Sequence, residues 1–161
     1  MRTALRRWPR IAAALLLGAG LGLTAAPAQA GQQAPPRTSA VQAFKNGESL
    51  NCLDYSYRYS ARTMPCWGND WQKWDVQGLG NGYFLLKNVA TGQCLKETLA
   101  GAVDGEPCTV HDNDYQWRSL YLHGYVLLIN KSTGGCMSDS GGDAWVVDCN
   151  LPSGRTDAVW Y

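Results

Sequence analysis

Cysteine is the residue type whose spacing in this sequence most clearly implies chemistry. Cys52, Cys94 and Cys136 stand 42 residues apart, and a second cysteine follows each of them 14, 14 and 13 positions later. Asparagine and tryptophan recur at nearly the same interval. These residues are Asn46, Asn88 and Asn130, and Trp74, Trp117 and Trp160. Coincident periodic series indicate three internal repeats, which we call the first, second and third units.

Six thiols can pair in many ways. The repeat favours pairing inside each unit, because only then do three similar units adopt the same geometry. The predicted disulfides are Cys52–Cys66, Cys94–Cys108 and Cys136–Cys149. A metal site is the alternative use of clustered cysteines. The sequence has no Cys-x-x-Cys spacing, and His111 and His123 lie apart, so we predict neither a metal nor a cofactor.

Catalytic chemistry finds little support in the residue types. The chain has two histidines, no Ser-His-Asp or Cys-His arrangement, and cysteines already assigned to disulfides, which leaves no activated nucleophile. Paired carboxylates for glycoside hydrolysis are the open alternative, since Asp and Glu are plentiful. We predict that the protein is not an enzyme.

The first thirty residues have the pattern of a secretory signal peptide. Four arginines accompany an apolar run over 11–23, and Ala28-Gln29-Ala30 is a small-residue cleavage sequence. We therefore expect residues 1–30 to be removed, residues 31–40 to form a flexible leader, and residues 41–161 to form one domain of a secreted, extracellular protein. The apolar run is shorter than the roughly 20 residues that cross a bilayer.

The charge distribution argues against nucleic acid as a partner and against membrane insertion. Lys and Arg number 14 and Asp and Glu 13, but four of the arginines lie in the signal segment. The rest of the chain therefore has a net negative charge, and it has no run of Lys or Arg. Proteins that bind phosphate backbones need a basic patch.

The segments that position these residues are predicted to be short strands. The β-prone runs 83–86, 125–129 and 144–147 are separated by clusters of Gly, Asn, Asp and Ser. No stretch after Ala30 keeps an apolar helical period over three turns. Three such copies, each unable to bury its apolar face alone, would close around a pseudo-threefold axis. The predicted fold is all-β, a β-trefoil of three repeats with one disulfide in each.

Local motifs support this fold and resemble a known family. Each unit has an Asn-to-Gly segment, then an opening cysteine with Leu or Met after it, a second cysteine, and a terminal Gln-x-Trp or its remnant. The pattern resembles the ricin B-chain-like lectins over residues 41–161. The first unit matches best, with the segments Cys52-Leu53-Asp54, Pro65-Cys66 and Gln72-Lys73-Trp74. Its Leu-Asp-x-x-Tyr run at 53–57 also resembles actinohivin-like lectins. Tyr115 and Ala158 replace the glutamine in the other units.

The resemblance implies a carbohydrate site in each unit, made of an acid after Cys-Leu, a ring before the second cysteine and an amide near Gln-x-Trp. The acid or amide accepts hydrogen bonds from vicinal hydroxyls, and the ring covers the apolar side of a pyranose. In the first unit Asp54 is the acid, and Met64 stands at the ring position. The candidate rings and amides nearby are Tyr57, Trp67, Trp71, Asn69 and Gln72. The alternative is that Asp54 caps a turn.

The other two units depart from this pattern. The second has Lys96 in place of the acid and Glu106-Pro107 in place of the ring, which predicts no sugar site. The third has Ser138 at the acid position, so we predict a partial site from Asp139, Trp145 and Asn150, with turn and surface roles as the alternative.

The resulting functional hypothesis is a secreted carbohydrate-binding β-trefoil with one or two working sites for galactose-, mannose- or xylose-type glycans. The alternative is a trefoil scaffold that binds a protein partner, as an inhibitor or an accessory subunit. Trp74, Trp117 and Trp160 are predicted to fill the core and not to bind ligand.

Overall fold

A computed structural model describes residues 39–149 and 156–161. The predicted signal segment and most of the predicted leader lie outside the described residues. The strands are β1 (Ser39–Gln42), β2 (Cys52–Ser56), β3 (Tyr59–Met64), β4 (Trp74–Gly78), β5 (Phe84–Asn88), β6 (Cys94–Glu97), β7 (Val103–Glu106), β8 (Trp117–Leu122), β9 (Tyr125–Asn130), β10 (Cys136–Ser140) and β11 (Asp143–Val147). Two short 3₁₀ turns precede β4 and β8, at Asp70–Gln72 and Asn113–Tyr115. No helix in these residues is long and apolar enough to span a bilayer.

Five of the eleven described strands form a ring that Trp160 closes, and the other six form three hairpins. In the ring, β1, β4, β5, β8 and β9 pair in that order, and Trp160 bridges both Val126 of β9 and Asn46 after β1. The hairpins are β2–β3, β6–β7 and β10–β11, one from each unit. This is the β-trefoil that the repeats predict. β1 begins at Ser39, two residues before the predicted domain start, because Ser39 and Ala40 pair with Gln77 and Val76.

The repeated tryptophans fill the centre of the fold. Trp74, Trp117 and Trp160 are fully buried in one apolar cluster. Each indole Nε1 donates a hydrogen bond of 3.0 to 3.1 Å to the carbonyl of the residue after the opening cysteine of its own unit. A buried indole N–H needs such a partner. The prediction of a core role is confirmed, and the three identical contacts explain why all three positions hold Trp.

The repeated asparagines join neighbouring units. Asn46, Asn88 and Asn130 are fully buried, and each Nδ2 donates at 2.7 to 2.8 Å to a backbone carbonyl of another unit: the third for Asn46, the first for Asn88 and the second for Asn130. The acceptors are Asp157, Trp71 and Asp114, which therefore occupy equivalent positions. Each Oδ1 accepts from backbone N–H groups two or three residues on, as an Asx turn does.

The three predicted disulfides are present. Cys52–Cys66, Cys94–Cys108 and Cys136–Cys149 have Cα separations of 5.0, 4.9 and 5.1 Å, which are within the usual range. Each closes a hairpin at its base and ties it to the loop that follows. In the chain-entropy model a loop of this size contributes about 3 kcal/mol.

Candidate functional site

The acid position of the first unit is occupied by an ion pair. Asp54 lies on β2 opposite Arg62 of β3 and is only 3% exposed. The Arg62 Nε donates to Asp54 Oδ1 at 3.1 Å, and the Arg62 guanidinium lies 4.1 Å from the centroid of the Tyr59 ring. The terminal nitrogens of Arg62 make no hydrogen bond with the described residues, and its side chain is partly exposed. Arg62 therefore stands between Asp54 and solvent.

Four rings of the first unit are exposed. Tyr59 is 47% exposed and lies against the Arg62 guanidinium. The other three, Tyr57, Trp67 and Trp71, are 69%, 59% and 39% exposed, and we call them the first-unit aromatic surface. Tyr57 donates its hydroxyl to the Thr91 carbonyl at 2.8 Å, and Asn88 donates to the Trp71 carbonyl. The Tyr57 hydroxyl and the Trp71 backbone are thus both held by residues at the end of β5 and in the turn that follows it.

The two predicted amides have different environments. Gln72 is fully buried and holds the loop of Trp67, because its Oε1 accepts from the Trp67 N–H at 2.8 Å and its Nε2 donates to the Pro65 carbonyl at 2.9 Å. Gln72 is therefore a positioning residue. Asn69 precedes the first 3₁₀ turn without capping it, and its Oδ1 is the one buried side-chain N or O atom without a hydrogen-bond partner in residues 39–149 and 156–161. An unsatisfied buried polar atom of this kind costs about 1 to 3 kcal/mol.

Two of the predicted residues of the third unit, Asp139 and Trp145, lie on opposite faces of one hairpin. In the β10–β11 hairpin Trp145 pairs with Ser138, and Asp139 pairs with Ala144. Adjacent residues of a strand point to opposite faces, so the Asp139 carboxylate is on the other face from Trp145. Both of its oxygens accept internal hydrogen bonds at 2.8 Å, from Thr63 Oγ1 and the Gly142 N–H. Joining Asp139 and Trp145 into one site was wrong for this reason. Asn150 lies outside the described residues.

The site position of the second unit is filled by its own side chains. The Lys96 Nζ donates to Glu106 Oε1 at 3.0 Å, and the Tyr115 hydroxyl donates to Glu106 Oε2 at 3.0 Å. The hydrogen bond from Lys96 lowers the pKa of Glu106. Burial, followed by the bond to Glu106, raises the pKa of Tyr115 to about 12. These three side chains bind one another at the position where the family pattern has the acid and the ring.

The sequence did not indicate four residues that contact or support the candidate sites. Tyr59 and Arg62 cover Asp54, Asp157 accepts a hydrogen bond from Ser138 Oγ at 2.8 Å, and Gln116 holds a loop of the second unit. Gln116 is buried one residue later than the glutamine of Gln-x-Trp and donates to the Val110 carbonyl at 2.9 Å, as Gln72 does to Pro65. The opposite charges of Asp54 and Arg62 on neighbouring predicted strands could have indicated the contact between these two residues.

The fold and motifs agree with a family match. The model of the ricin-type β-trefoil lectin domain-like family matches residues 27–111 and 70–148. The overlapping matches reflect the internal repeat, since units of one kind align in more than one register. The chain belongs to this family. No curated protein sequence matches it.

Solved structures share the fold at low sequence identity. A designed threefold-symmetric protein, ThreeFoil, is 20% identical with a TM-score of 0.65, over 74% of this chain and 95% of that one. SeviL, solved bound to the asialo-GM1 saccharide, is 17% identical with a TM-score of 0.64, over 76% and 95%. The cytolethal distending toxin of Haemophilus ducreyi is 17% identical with a TM-score of 0.61, over 73% and 81%. At these identities the likeness concerns the fold.

Proposed function

We propose that this protein is a secreted, non-catalytic lectin whose first unit binds carbohydrate. The observation that carries the proposal is the first-unit aromatic surface. Tyr57, Trp67 and Trp71 are exposed, whereas the equivalent positions of the second unit hold Leu99, Thr109 and Asp114. Exposed rings that the core does not need are what a pyranose face requires.

The polar contacts of this site would come from Asn69 and Arg62. Asn69 lies between Trp67 and Trp71 in the chain, and its Oδ1 has no hydrogen-bond partner among the described residues. Because this oxygen is buried, the Asn69 side chain has to turn outward to accept from a sugar hydroxyl. The terminal nitrogens of Arg62 are available as donors, while Asp54 holds that guanidinium in place. Asp54 thus acts in the proposed site by positioning Arg62. A shallow site of this kind binds sugars weakly, with a Kd of about 10⁻⁴ to 10⁻³ M.

The family and the disulfides support the rest of the proposal. Carbohydrate binding in general is supported by the lectin-like domain and by SeviL, whose structure contains a saccharide. Three disulfides require an oxidising compartment, which agrees with the signal-like pattern of residues 1–30. Galactose-, mannose- and xylose-type glycans are the ligands to test first.

The test is a pair of matched double variants, measured by a glycan array and then by calorimetry on the best glycan. Tyr57→Ala with Trp67→Ala removes two rings of the first unit. Leu99→Ala with Thr109→Ala changes the equivalent positions of the second unit. We expect the first variant to weaken binding at least about tenfold, since each ring contributes about 1 kcal/mol or more, and the second to change it less than about twofold.

Thermal melting serves as the folding control for both variants. All four side chains lie outside the central cluster of tryptophans, so the melting temperatures should stay close to that of the unmodified protein. Equal affinity of both variants for the same glycan would refute the assignment of binding to the first unit. Absence of binding to any glycan by the unmodified protein would refute the lectin function itself.

A protein-binding scaffold is the second candidate. β8 presents Leu120, Tyr121 and Leu122 to solvent as three consecutive large apolar residues, and exposed apolar patches mark interaction surfaces. The matched H. ducreyi toxin has a similar fold. Under this candidate, Tyr121→Asp would remove a co-purifying protein partner and leave sugar binding unchanged.

A further inference from the structure

β1 is an edge strand of the sheet. Among the described strands it pairs with β4 alone, and it stands at the end of the strand order. The chain runs on from β1 to Lys45, which exchanges two backbone hydrogen bonds with Tyr161 on the other side, of 2.9 and 3.4 Å. Neighbouring residues of a strand direct their N–H and C=O groups to opposite edges. The groups of Ala43 and Val41 therefore face the same side as those of Lys45, and we call residues 41–44 the open edge.

The ladder that Lys45 and Tyr161 begin is not continued in the described part of the chain. The N–H and C=O groups of Ala43 have no hydrogen-bond partner there. The residues one and two repeats later, Leu85 and Leu127, pair with β4 and β8 respectively. The other two units thus show which element fits beside the open edge, namely an antiparallel strand.

The open edge lacks the features that usually keep an edge strand from pairing. Exposed edges are commonly protected by a charged side chain or a proline. Residues 39–44 have the sequence Ser-Ala-Val-Gln-Ala-Phe, with neither, and all of them except Phe44 are exposed. The backbone groups of the open edge are therefore accessible to another strand.

A cavity of about 460 Å³ lies beside the open edge, and residues 42–44 form one of its walls. The exposed rings of Tyr121 and Tyr161 also line it. Its other large apolar lining residues are Val76, Phe84, Val126 and Leu128. None of the described residues that line it is charged. This volume is within the range of ligand sites, and the lining suits uncharged apolar groups.

The repeat indicates which side chains of an added strand would enter this cavity. Phe44 is equivalent to Leu86 and Leu128, which pair with Val76 of β4 and Ser119 of β8. Both of these partners line the cavity. A residue that pairs with Phe44 would therefore point into the cavity, and so would the residue two positions later. Tyr161 already pairs with Lys45, so the added pairing begins at Phe44 and covers four residues.

We propose that the open edge and this cavity bind an extended, uncharged segment of a partner protein by β-strand addition. The backbone of Val41 and Ala43 supplies the hydrogen bonds, and two apolar side chains at alternate positions of the segment fill the cavity. A second copy of this chain is a poorer occupant, because the β1 residues that share the face of Phe44 are Ala40 and Gln42, which are small or polar.

This inference goes beyond the proposed sugar site, since none of its residues belongs to the first-unit aromatic surface. It gives the protein-binding candidate a defined docking mode, in which Tyr121 of β8 lines the cavity beside the added strand. The failure of one proposal therefore leaves the other standing.

The test is a titration of the purified protein with the peptide acetyl-Leu-Thr-Val-Thr-amide, followed by two-dimensional ¹⁵N–¹H NMR. We expect the amide signals of Val41, Ala43 and Gly124 to shift. The control peptide carries N-methyl groups on both threonines, which keeps the side chains and removes the donors that face the open edge. It should bind at least about tenfold more weakly.

Equal affinity for the two peptides would overturn strand addition, and no shift at the open edge with millimolar peptide would overturn the whole proposal. A methyl glycoside added to the same sample reports the sugar site separately, through the indole signals of Trp67 and Trp71.

Two variants test the two halves of the site. Ala43→Pro removes a backbone donor of the open edge, and an edge position tolerates proline. Ser119→Tyr fills the cavity from an exposed position of β8. Each should weaken peptide binding at least about tenfold. Arg118→Tyr is the matched control for Ser119→Tyr, because the neighbouring residue of a strand points to the opposite face, and it should change the affinity less than about twofold.

Melting curves serve as the folding control for all three variants. Equal affinity of Ser119→Tyr and Arg118→Tyr would overturn the role of the cavity, whether or not Ala43→Pro folds. Analytical ultracentrifugation tests the other occupant. A mass that doubles with concentration and returns to that of one chain in Ala43→Pro would assign the open edge to a second copy and overturn the partner protein.

Discussion

The first and second units share a framework and carry opposite charges at one position of it. Asp54 and Lys96 both stand two residues after an opening cysteine, on the first strand of a hairpin. Asp54 pairs with Arg62, and Lys96 pairs with Glu106. In the first unit the rings nearby are exposed. In the second, the ring of Tyr115 is buried and its hydroxyl binds Glu106.

The comparison shows which positions the fold requires and which it leaves free. Trp, Asn and Cys keep the same contacts in all three units, because each satisfies a buried donor, joins two units or closes a hairpin. The residue two positions after the opening cysteine satisfies no such requirement, so it differs in every unit. Function within this family is therefore set by residues placed on a common framework.

The largest expected effect tests the shared framework. Trp74→Ala and Trp117→Ala should each lower the free energy of unfolding by about 3 to 5 kcal/mol, because each removes a fully buried indole and its hydrogen bond. Urea denaturation measures both, with Trp67→Ala as the exposed control. A loss for one of the two variants that is no larger than the loss for Trp67→Ala would show that the units do not share one core.

A smaller effect separates the two ion pairs. Arg62→Met leaves the nearly buried carboxylate of Asp54 without its partner and should cost about 1 to 3 kcal/mol. Lys96→Met removes the ion-pair partner of Glu106, but this carboxylate is half exposed and still bound by Tyr115. The free energy of unfolding should therefore fall by less than about 1 kcal/mol. Both are measured by urea denaturation at neutral pH. Equal losses would contradict the difference in burial between the two acids.

The smallest expected effect depends on pH. Glu97 of β6 is buried where the first unit has Tyr55, and it accepts a hydrogen bond from Thr133 Oγ1 at 2.7 Å. Burial raises the pKa of Glu97 above its usual value of 4.5. The protonated form therefore favours the folded state, and its contribution to stability is present at acid pH and lost as the pH rises through the raised pKa.

Glu97→Gln removes this dependence and keeps an acceptor for Thr133. At pH 7 the variant should be more stable than the unmodified protein by less than about 1 kcal/mol, and the difference should shrink as the pH falls toward 4.5. Melting curves at several pH values measure it, with Glu48→Gln as the exposed control. A difference that grows on acidification would mean that the Glu97 carboxylate is stabilised in its charged form.

The framework was predictable from the sequence because its residues are periodic. The 42-residue interval of Cys52, Cys94 and Cys136 was enough to pair the disulfides, and the matching tryptophans indicated the shared core. Each of these features depends on contacts that repeat three times. A local departure in one unit therefore does not hide the pattern.

The site was less predictable because it depends on register and on single departures. Asp139 and Trp145 are close in sequence, but the β10–β11 register places them on opposite faces. The contact of Arg62 with both Asp54 and Tyr59 arises in a hairpin whose register shifts between Asp54 and Ser56.

The most direct test of the central claim is a crystal structure of the protein soaked with galactose, mannose or xylose. We expect a sugar ring in contact with Tyr57, Trp67 or Trp71 of the first unit. We also expect that the network of Lys96, Glu106 and Tyr115 in the second unit binds no sugar. A sugar bound to that network, or crystals in which the first-unit aromatic surface binds none of the three sugars at millimolar concentration, would refute the proposed site.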